Sequence, residues 1–206
     1  KLRDEGVDGR QIPGLISDQI DLPSIIRESA EPWDGGYAIS GVVGNGDMFV
    51  MRAPRGIRPC HVYEDDEVIA FASERVPLMT VFESSKEEVK EVEPGTLTIV
   101  RRDGSQSTQR FHDERPKSPC SFERIYFSRG NDPSIYRERK AMGAALVDQV
   151  YKSIGEDFDK TVFAFIPNTA ETAYYGFLDG LRLLRRQQVR AEILEASQKG
   201  VLTEDL

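Results

Sequence analysis

Tyr37-Ala-Ile-Ser-Gly-Val-Val43, then Gly44-Asn45-Gly46-Asp47, then Met48-Phe-Val-Met-Arg52: this stretch decides the fold class of the first half of the chain. Two runs rich in β-branched and apolar residues flank an Asn-Gly pair. Asn-Gly between such runs predicts a hairpin closed by a type I′ turn, which needs positive φ at both central residues. The pattern repeats outward. Val68 to Ala72 reads as another strand, Thr96 to Arg101 as a fourth and Ser107 to Phe111 as a fifth, the last two joined at Asp103-Gly104. Residues 35–111 are therefore expected to be mainly antiparallel β. Upstream, residues 1–22 lack periodicity and read as loop. Pro23 to Ala30 suits a short helix, with Asp21 near its start.

Downstream the pattern changes. Arg115-Pro-Lys-Ser-Pro119 reads as a linker and sets two expected domains, 1–115 and 116–206. Glu123 to Phe127 reads as a short strand. A helix follows from about Ile135 to Ile154, with Met142, Leu146 and Val150 as its apolar stripe and Gly155 as its stop. Thr161-Val-Phe-Ala-Phe-Ile166 is nearly all apolar and reads as a strand buried on both faces. After Pro167, a second helix runs from Glu171 to about Arg186, carrying Tyr175, Leu178, Leu181 and Leu184. Strand, helix, strand, loop, helix is the opening of a parallel α/β domain. Arg190 to Leu206 is polar, helix-compatible and supplies no closing strand. The expected class is α+β followed by α/β.

Composition narrows the partners. The chain has 206 residues, 39% hydrophobic and 30% charged, as a globular protein should. A net charge of -8 argues against nucleic acid and anionic membrane as partners. There is no long uncharged apolar run, and the polar start at Lys1 is no signal peptide. The start without methionine reads as a processed end or as a cut from a longer polypeptide. Two cysteines, Cys60 and Cys120, form no disulfide framework and no CxxC site, which suits a reducing, cytoplasmic setting. His61 and His112 read as strand or loop residues.

Three segments carry chemistry. Pro167-Asn168-Thr169-Ala170-Glu171-Thr172 joins a buried strand to a helix start, the architecture that holds phosphate at the carboxyl end of a sheet. The same pattern fits an ordinary strand-to-helix turn with Thr169 as N-cap. Ala53-Pro-Arg-Gly-Ile-Arg-Pro59 places two arginines about a glycine. It reads as an anion loop, or as a β-turn with Arg55 and Arg58 exposed and Gly56 at positive φ. Cys120 stands at the domain junction with no base beside it in sequence, which favours a small buried side chain over a nucleophile. Arg182, Arg185 and Arg186 read as the solvated face of a helix.

Taken in order, these segments resemble the glutamine phosphoribosylpyrophosphate amidotransferase family. Gly36-Tyr37-Ala38 is similar to its gly-x-tyr-ala strand start, Ala53 to Pro59 to its asp-pro-asn-gly-ile-arg-pro turn, Ala72-Ser73-Glu74 to its ala-ser-glu, and Val92 to Gly95 to its val-x-pro-gly. The most specific stretch is Pro119-Cys120-Ser121-Phe122-Glu123-Arg124-Ile125-Tyr126-Phe127-Ser128-Arg129, continued by Tyr136, Arg139 and Gly143. Ala53, Arg55 and Asn168 depart from the family pattern. The resemblance implies the C-terminal part of an N-terminal-nucleophile glutaminase sandwich, followed by the start of a type I phosphoribosyltransferase domain. It implies the first committed step of de novo purine synthesis: ammonia released from glutamine displaces pyrophosphate from phosphoribosyl pyrophosphate, giving phosphoribosylamine. By the same analogy Pro167 to Thr172 is the diphosphate loop and Thr169 a magnesium contact. Cys120 is then one candidate ligand of an iron–sulfur cluster. No residue of this chain is expected to be catalytic, so the isolated chain is expected to be inactive. Its expected partners are the two substrates, the remainder of its own polypeptide and further copies in a homo-oligomer. Two other readings stay open: a binding or regulatory module derived from an amidotransferase, and a piece of another amidotransferase of this nucleophile class, such as the hexosamine-forming one.

Overall fold

A computed structural model describes residues 3–200. The chain divides into two compact units, Lys1–Glu123 and Arg124–Leu206.

The first unit is layered. After α1 (Ile12–Asp18) and α2 (Leu22–Ala30) come β1 (Ala38–Val42), β2 (Met48–Arg52), β3 (His61–Glu64), β4 (Ile69–Ala72), α3 (Arg75–Val81), β5 (Lys90–Glu91), β6 (Thr96–Val100) and β7 (Gln106–Arg110). One sheet runs β1-β2-β6-β7 and the other β4-β3-β5, and every pairing is antiparallel. β2 explains the layering. Alternate side chains of a strand face opposite ways. Met51 joins Leu97, Ile99 and Phe111 beneath Ile26 and Ala30 of α2. Val50, on the other face, meets Cys60 and Val92, with Val62 and Phe71 of the second sheet packed alongside. The helix α2 starts as its sequence suggests: the Asp21 carboxylate accepts from the Ser24 N–H at 3.3 Å.

The predicted hairpin forms, but its turn is of another class, and with a three-residue loop Val42 pairs with Met48. The Gly46 N–H donates to Val43 O at 2.9 Å and the Val43 N–H to Asp47 O at 2.7 Å, with Gly46 alone at positive φ (96°). Asn45 stays out of the left-handed region because its side-chain oxygen accepts from the Asp47 N–H at 3.0 Å. Arg101 to Ser105 repeats this geometry, with Gly104 at φ 84° and Asp103 accepting from the Ser105 N–H at 2.9 Å. Such three-residue loops end in a left-handed glycine. Sequence reading missed α1, which is helical within the stretch 1–22 expected to be loop, and also β3, β5 and α3. β3 carries only four residues, and its turn to β4 is set by Asp65, which accepts from the N–H groups of Glu67 and Val68.

In the second unit, α4 (Pro133–Ala145), α5 (Val147–Ser153) and α6 (Glu171–Lys199) are helical. Several expectations fail here. Glu123–Phe127 is a π-helical turn, not a strand. The single helix over 135–154 is broken, because the Leu146 N–H turns back to Gly143 O at 3.1 Å and tightens the last turn. Its buried stripe is Ile135, Arg139, Gly143 and Val147, while Met142 and Leu146 are exposed. Residues 161–166 enter no sheet among the described residues and are not buried on both faces: Val162 is 93% and Ile166 84% exposed. With no neighbouring strand to accept its N–H groups, the segment uses only its aromatic side. Phe163 packs edge-on against Phe177 (5.2 Å between centroids) and Phe165 against Tyr174 (5.1 Å). Val147, Phe177 and Leu181 form the core of this unit.

α4 and α6 cross with backbone nearly touching backbone. A Cβ on Gly143 would overlap the carbonyl oxygen of Ala173, and one on Gly176 the carbonyl oxygen of Lys140. The architecture is thus mixed α and β, with both sheets in the first unit and, among the described residues, helices alone in the second.

Candidate functional site

The loop from Pro167 to Thr172 is set by what flanks it. Upstream, the Tyr174 hydroxyl donates to Phe163 O at 3.0 Å, pinning the incoming chain to the first turn of α6. Within the loop the Glu171 N–H donates to Asn168 O at 3.2 Å, and the Tyr174 N–H to Ala170 O at 2.9 Å. The N-cap is therefore Ala170, without any side-chain cap, and Thr169 does not fill that role. Pro167, Asn168 and Ala170 are exposed; Thr169, Glu171 and Thr172 are half-buried. The Glu171 carboxylate accepts from the Tyr175 hydroxyl at 2.5 Å.

The electrostatics favour an anion. The first turn of a helix presents N–H groups without intrahelical acceptors, and the peptide dipoles add roughly half a positive charge there. α6, at 29 residues, is long enough to develop that field fully. Arg139 of α4 is buried, donating from Nε to Arg124 O (3.1 Å) and from Nη2 to Ser128 O (2.6 Å). Burial lowers its pKa from the ordinary guanidinium value, but a guanidinium remains charged at neutral pH. Asp132 ends the same loop by capping α4, accepting from the N–H groups of Ser134 (2.8 Å) and Ile135 (3.2 Å). Sequence reading passed over Arg139 as a site residue. The signal was an arginine four residues after Ile135, on the face that packs.

The other sequence candidates resolve differently. Ala53 to Pro59 is a turn, with Gly56 at φ 59° and its N–H donating to Ala53 O at 3.0 Å. What organises it is Arg52, 1% exposed, which donates to Arg58 O (2.9 Å), Val92 O (2.5 Å) and Gly56 O (3.1 Å) and pairs with Glu91 (2.8 Å). Arg55 is exposed, and Arg58 pairs with the buried Glu123. Arg182 and Arg185 pair on α6 with Asp179 and Glu192, as a solvated face does.

Burial raises the Cys60 thiol pKa, and Cys120 is a free, half-buried cysteine. No group of three or more His, Cys, Asp or Glu gathers among the described residues. An iron–sulfur cluster needs about four thiolates, which two ungrouped cysteines do not fit. Among the described residues no helix is long and apolar enough to cross a membrane.

No family model matches the chain. Individual proteins do. The chain is 31% identical over 162 residues to an amidophosphoribosyltransferase of Pasteurella multocida, a match covering 74% of this chain and 31% of that protein. It is 26% identical over 187 residues to that of Bacillus subtilis, covering 86% of this chain and 37% of that one. Among solved structures it is similar to glutamine phosphoribosylpyrophosphate amidotransferase from B. subtilis complexed with ADP and GMP. The TM-score is 0.60 and the identity 23%, over 87% of this chain and 40% of that one. A structure described as the allosteric regulatory enzyme of purine biosynthesis gives a TM-score of 0.62 at 24% identity, over 87% and 39% of the two chains. The chain spans about a third of the length of these curated relatives.

Proposed function

The chain is a partial relative of the amidophosphoribosyltransferases, and from that premise we propose that it serves the formation of phosphoribosylamine from glutamine and phosphoribosyl pyrophosphate. In this reading its first unit is the C-terminal part of a glutaminase sandwich of the N-terminal-nucleophile class. Its second unit opens a type I phosphoribosyltransferase domain. The observation that carries the proposal is the loop from Pro167 to Thr172, open to solvent and set on the uncapped first turn of α6.

Pro167, Asn168, Thr169, Ala170, Glu171 and Thr172 form the bed for the diphosphate. Phosphate oxygens accept from the first-turn N–H groups, whose dipole favours the charge that grows on departing pyrophosphate. The Thr169 hydroxyl contacts a magnesium ion, which when bound orients the diphosphate and neutralises part of its charge. No residue of this chain is assigned a catalytic role, so its contribution is to hold and orient. Free thiols at Cys60 and Cys120 support a reducing, cytoplasmic setting. The remainder of the polypeptide and further copies of it are the proposed partners.

Calorimetric titration tests this reading. The chain is expected to bind magnesium phosphoribosyl pyrophosphate in preference to ribose 5-phosphate. Thr169→Ala is expected to weaken that binding about tenfold, the loss of one hydrogen bond to a charged group. Equal binding of the two sugars, or an unchanged Thr169→Ala, would reject it.

A further inference from the structure

We infer that Arg139, the backbone at Gly130 and the first turn of α6 make one anion site, to which Arg139 brings the fixed positive charge. The inference rests on reading the Pro167–Thr172 loop as phosphate-binding, and adds to it a wall from a different helix.

Charge is the first ground. Arg139 is 6% exposed, yet its Nε and Nη2 meet the carbonyl oxygens of Arg124 and Ser128, and no carboxylate among the described residues pairs with it. A buried charge is costly without an opposite charge or full hydrogen bonding. Position is the second ground. The remaining nitrogen, Nη1, lies 3.5 Å from the point where a Cβ on Gly130 would start, and Thr172 Oγ1 lies 3.8 Å from the same point. The unused end of the guanidinium and a hydroxyl from the first turn of α6 thus converge on one small space, open because residue 130 has no side chain. The third ground is the helix end itself, where Ala170 offers no side-chain acceptor to the first-turn N–H groups.

The nearby carboxylates leave that space to a ligand. Glu171 is engaged with Tyr175, and Asp132 caps α4. A planar guanidinium beside a hydroxyl and helix N–H groups suits a tetrahedral oxyanion, so the ligand class is a phosphate or diphosphate group. A guanidinium serving only to clamp the 124–128 segment would need Nε and Nη2 and nothing at Gly130.

The probe is inorganic pyrophosphate, titrated into the ¹⁵N-labelled 206-residue chain and followed by NMR. Pyrophosphate is expected to move the amide signals of Gly130 and Thr172 and the Nε–H signal of Arg139. Arg139→Gln is expected to weaken binding about tenfold or more, and Arg139→Lys to restore part of it. Gly130→Ala is the variant expected to fold, since its methyl makes ordinary contacts at 3.5 and 3.8 Å, while filling the space the ligand needs. It should weaken binding as Arg139→Gln does. Suppose pyrophosphate binds and Thr169→Ala weakens it, but Gly130→Ala does not and the Arg139 signal stays still. The loop reading then stands and this inference falls. If pyrophosphate moves no signal between residues 167 and 173, both fall.

Discussion

Arg52 illustrates how one residue organises a loop from within. Its guanidinium spends every nitrogen on a carbonyl, so the turn carrying Gly56 and Arg58 and the segment at Val92 are held from the core side. Arg52→Gln is expected to lower the unfolding free energy by about 3 kcal/mol, because it strands buried acceptors and removes a charge partner of Glu91. Arg55→Gln, exposed in the same loop, should change it by less than about 0.5 kcal/mol. Urea denaturation of the two variants checks the contrast. Acid should act on the same neighbourhood. Burial, with Arg75 and Arg52 near it, holds His61 below its ordinary 6.5 despite Glu91. Between those values the unfolded chain binds a proton that the folded one refuses, so stability falls as pH drops from 6.5 toward the folded value. Burial works to raise Glu91, but bonds from Lys117 and Arg52 outweigh it and leave its value below 4.5. Its contribution is complete above 4.5 and is lost as pH falls through the folded value. Melting temperature against pH should therefore decline in two stages, and His61→Gln should remove the upper one.

The crossing of α4 and α6 turns a glycine pattern into an element-scale constraint. Gly143→Ala sets a methyl against the backbone of Ala173, which no rotamer change relieves. A loss of about 3 kcal/mol or more is expected, at the upper end of overpacking and beyond what alanine's helix propensity returns. At Gly180 the obstacle is a side-chain methyl of Val147, 2.6 Å from the new Cβ, which can move aside. Gly180→Ala should cost about 1 kcal/mol. Denaturation midpoints would show whether the two differ as stated. What sequence could reveal follows the same physics. Alternation and glycine turns marked β1, β2, β4, β6 and β7 because one sheet face is apolar and each turn needs a special residue. α4 hid its packed face because Arg139 and Gly143 stand where hydrophobic residues were sought, and the stripe of Met142 and Leu146 faces outward. The apolar run 161–166 misled for a related reason: composition says what a segment prefers, while a strand also needs a neighbour. The stretch from Pro167 to Thr172 was legible as the lead into α6, whereas the approach of Arg139 to Gly130 depends on tertiary contact alone.

At the scale of the whole molecule, two separate sets of buried residues imply two melting events. The first unit packs a helix and two sheets around Ile26, Met51, Leu97, Ile99 and Phe111, with Val50, Cys60 and Val92 on the inner side. The second relies on Val147, Phe177 and Leu181. Scanning calorimetry is expected to resolve two transitions, the lower one belonging to the second unit and shifted down by Gly143→Ala while the upper one stays put. A single transition that moves as a whole would contradict this. The bare side of residues 161–166 has a further consequence. Val162 and Ile166 project from a segment of high β-propensity that carries no charge after Lys160 and joins no sheet among the described residues. Such a segment is a template for intermolecular cross-β stacking. Concentrated solutions of this chain should therefore clump through this ribbon first, and a lysine gatekeeper at residue 162 is the substitution that keeps them clear.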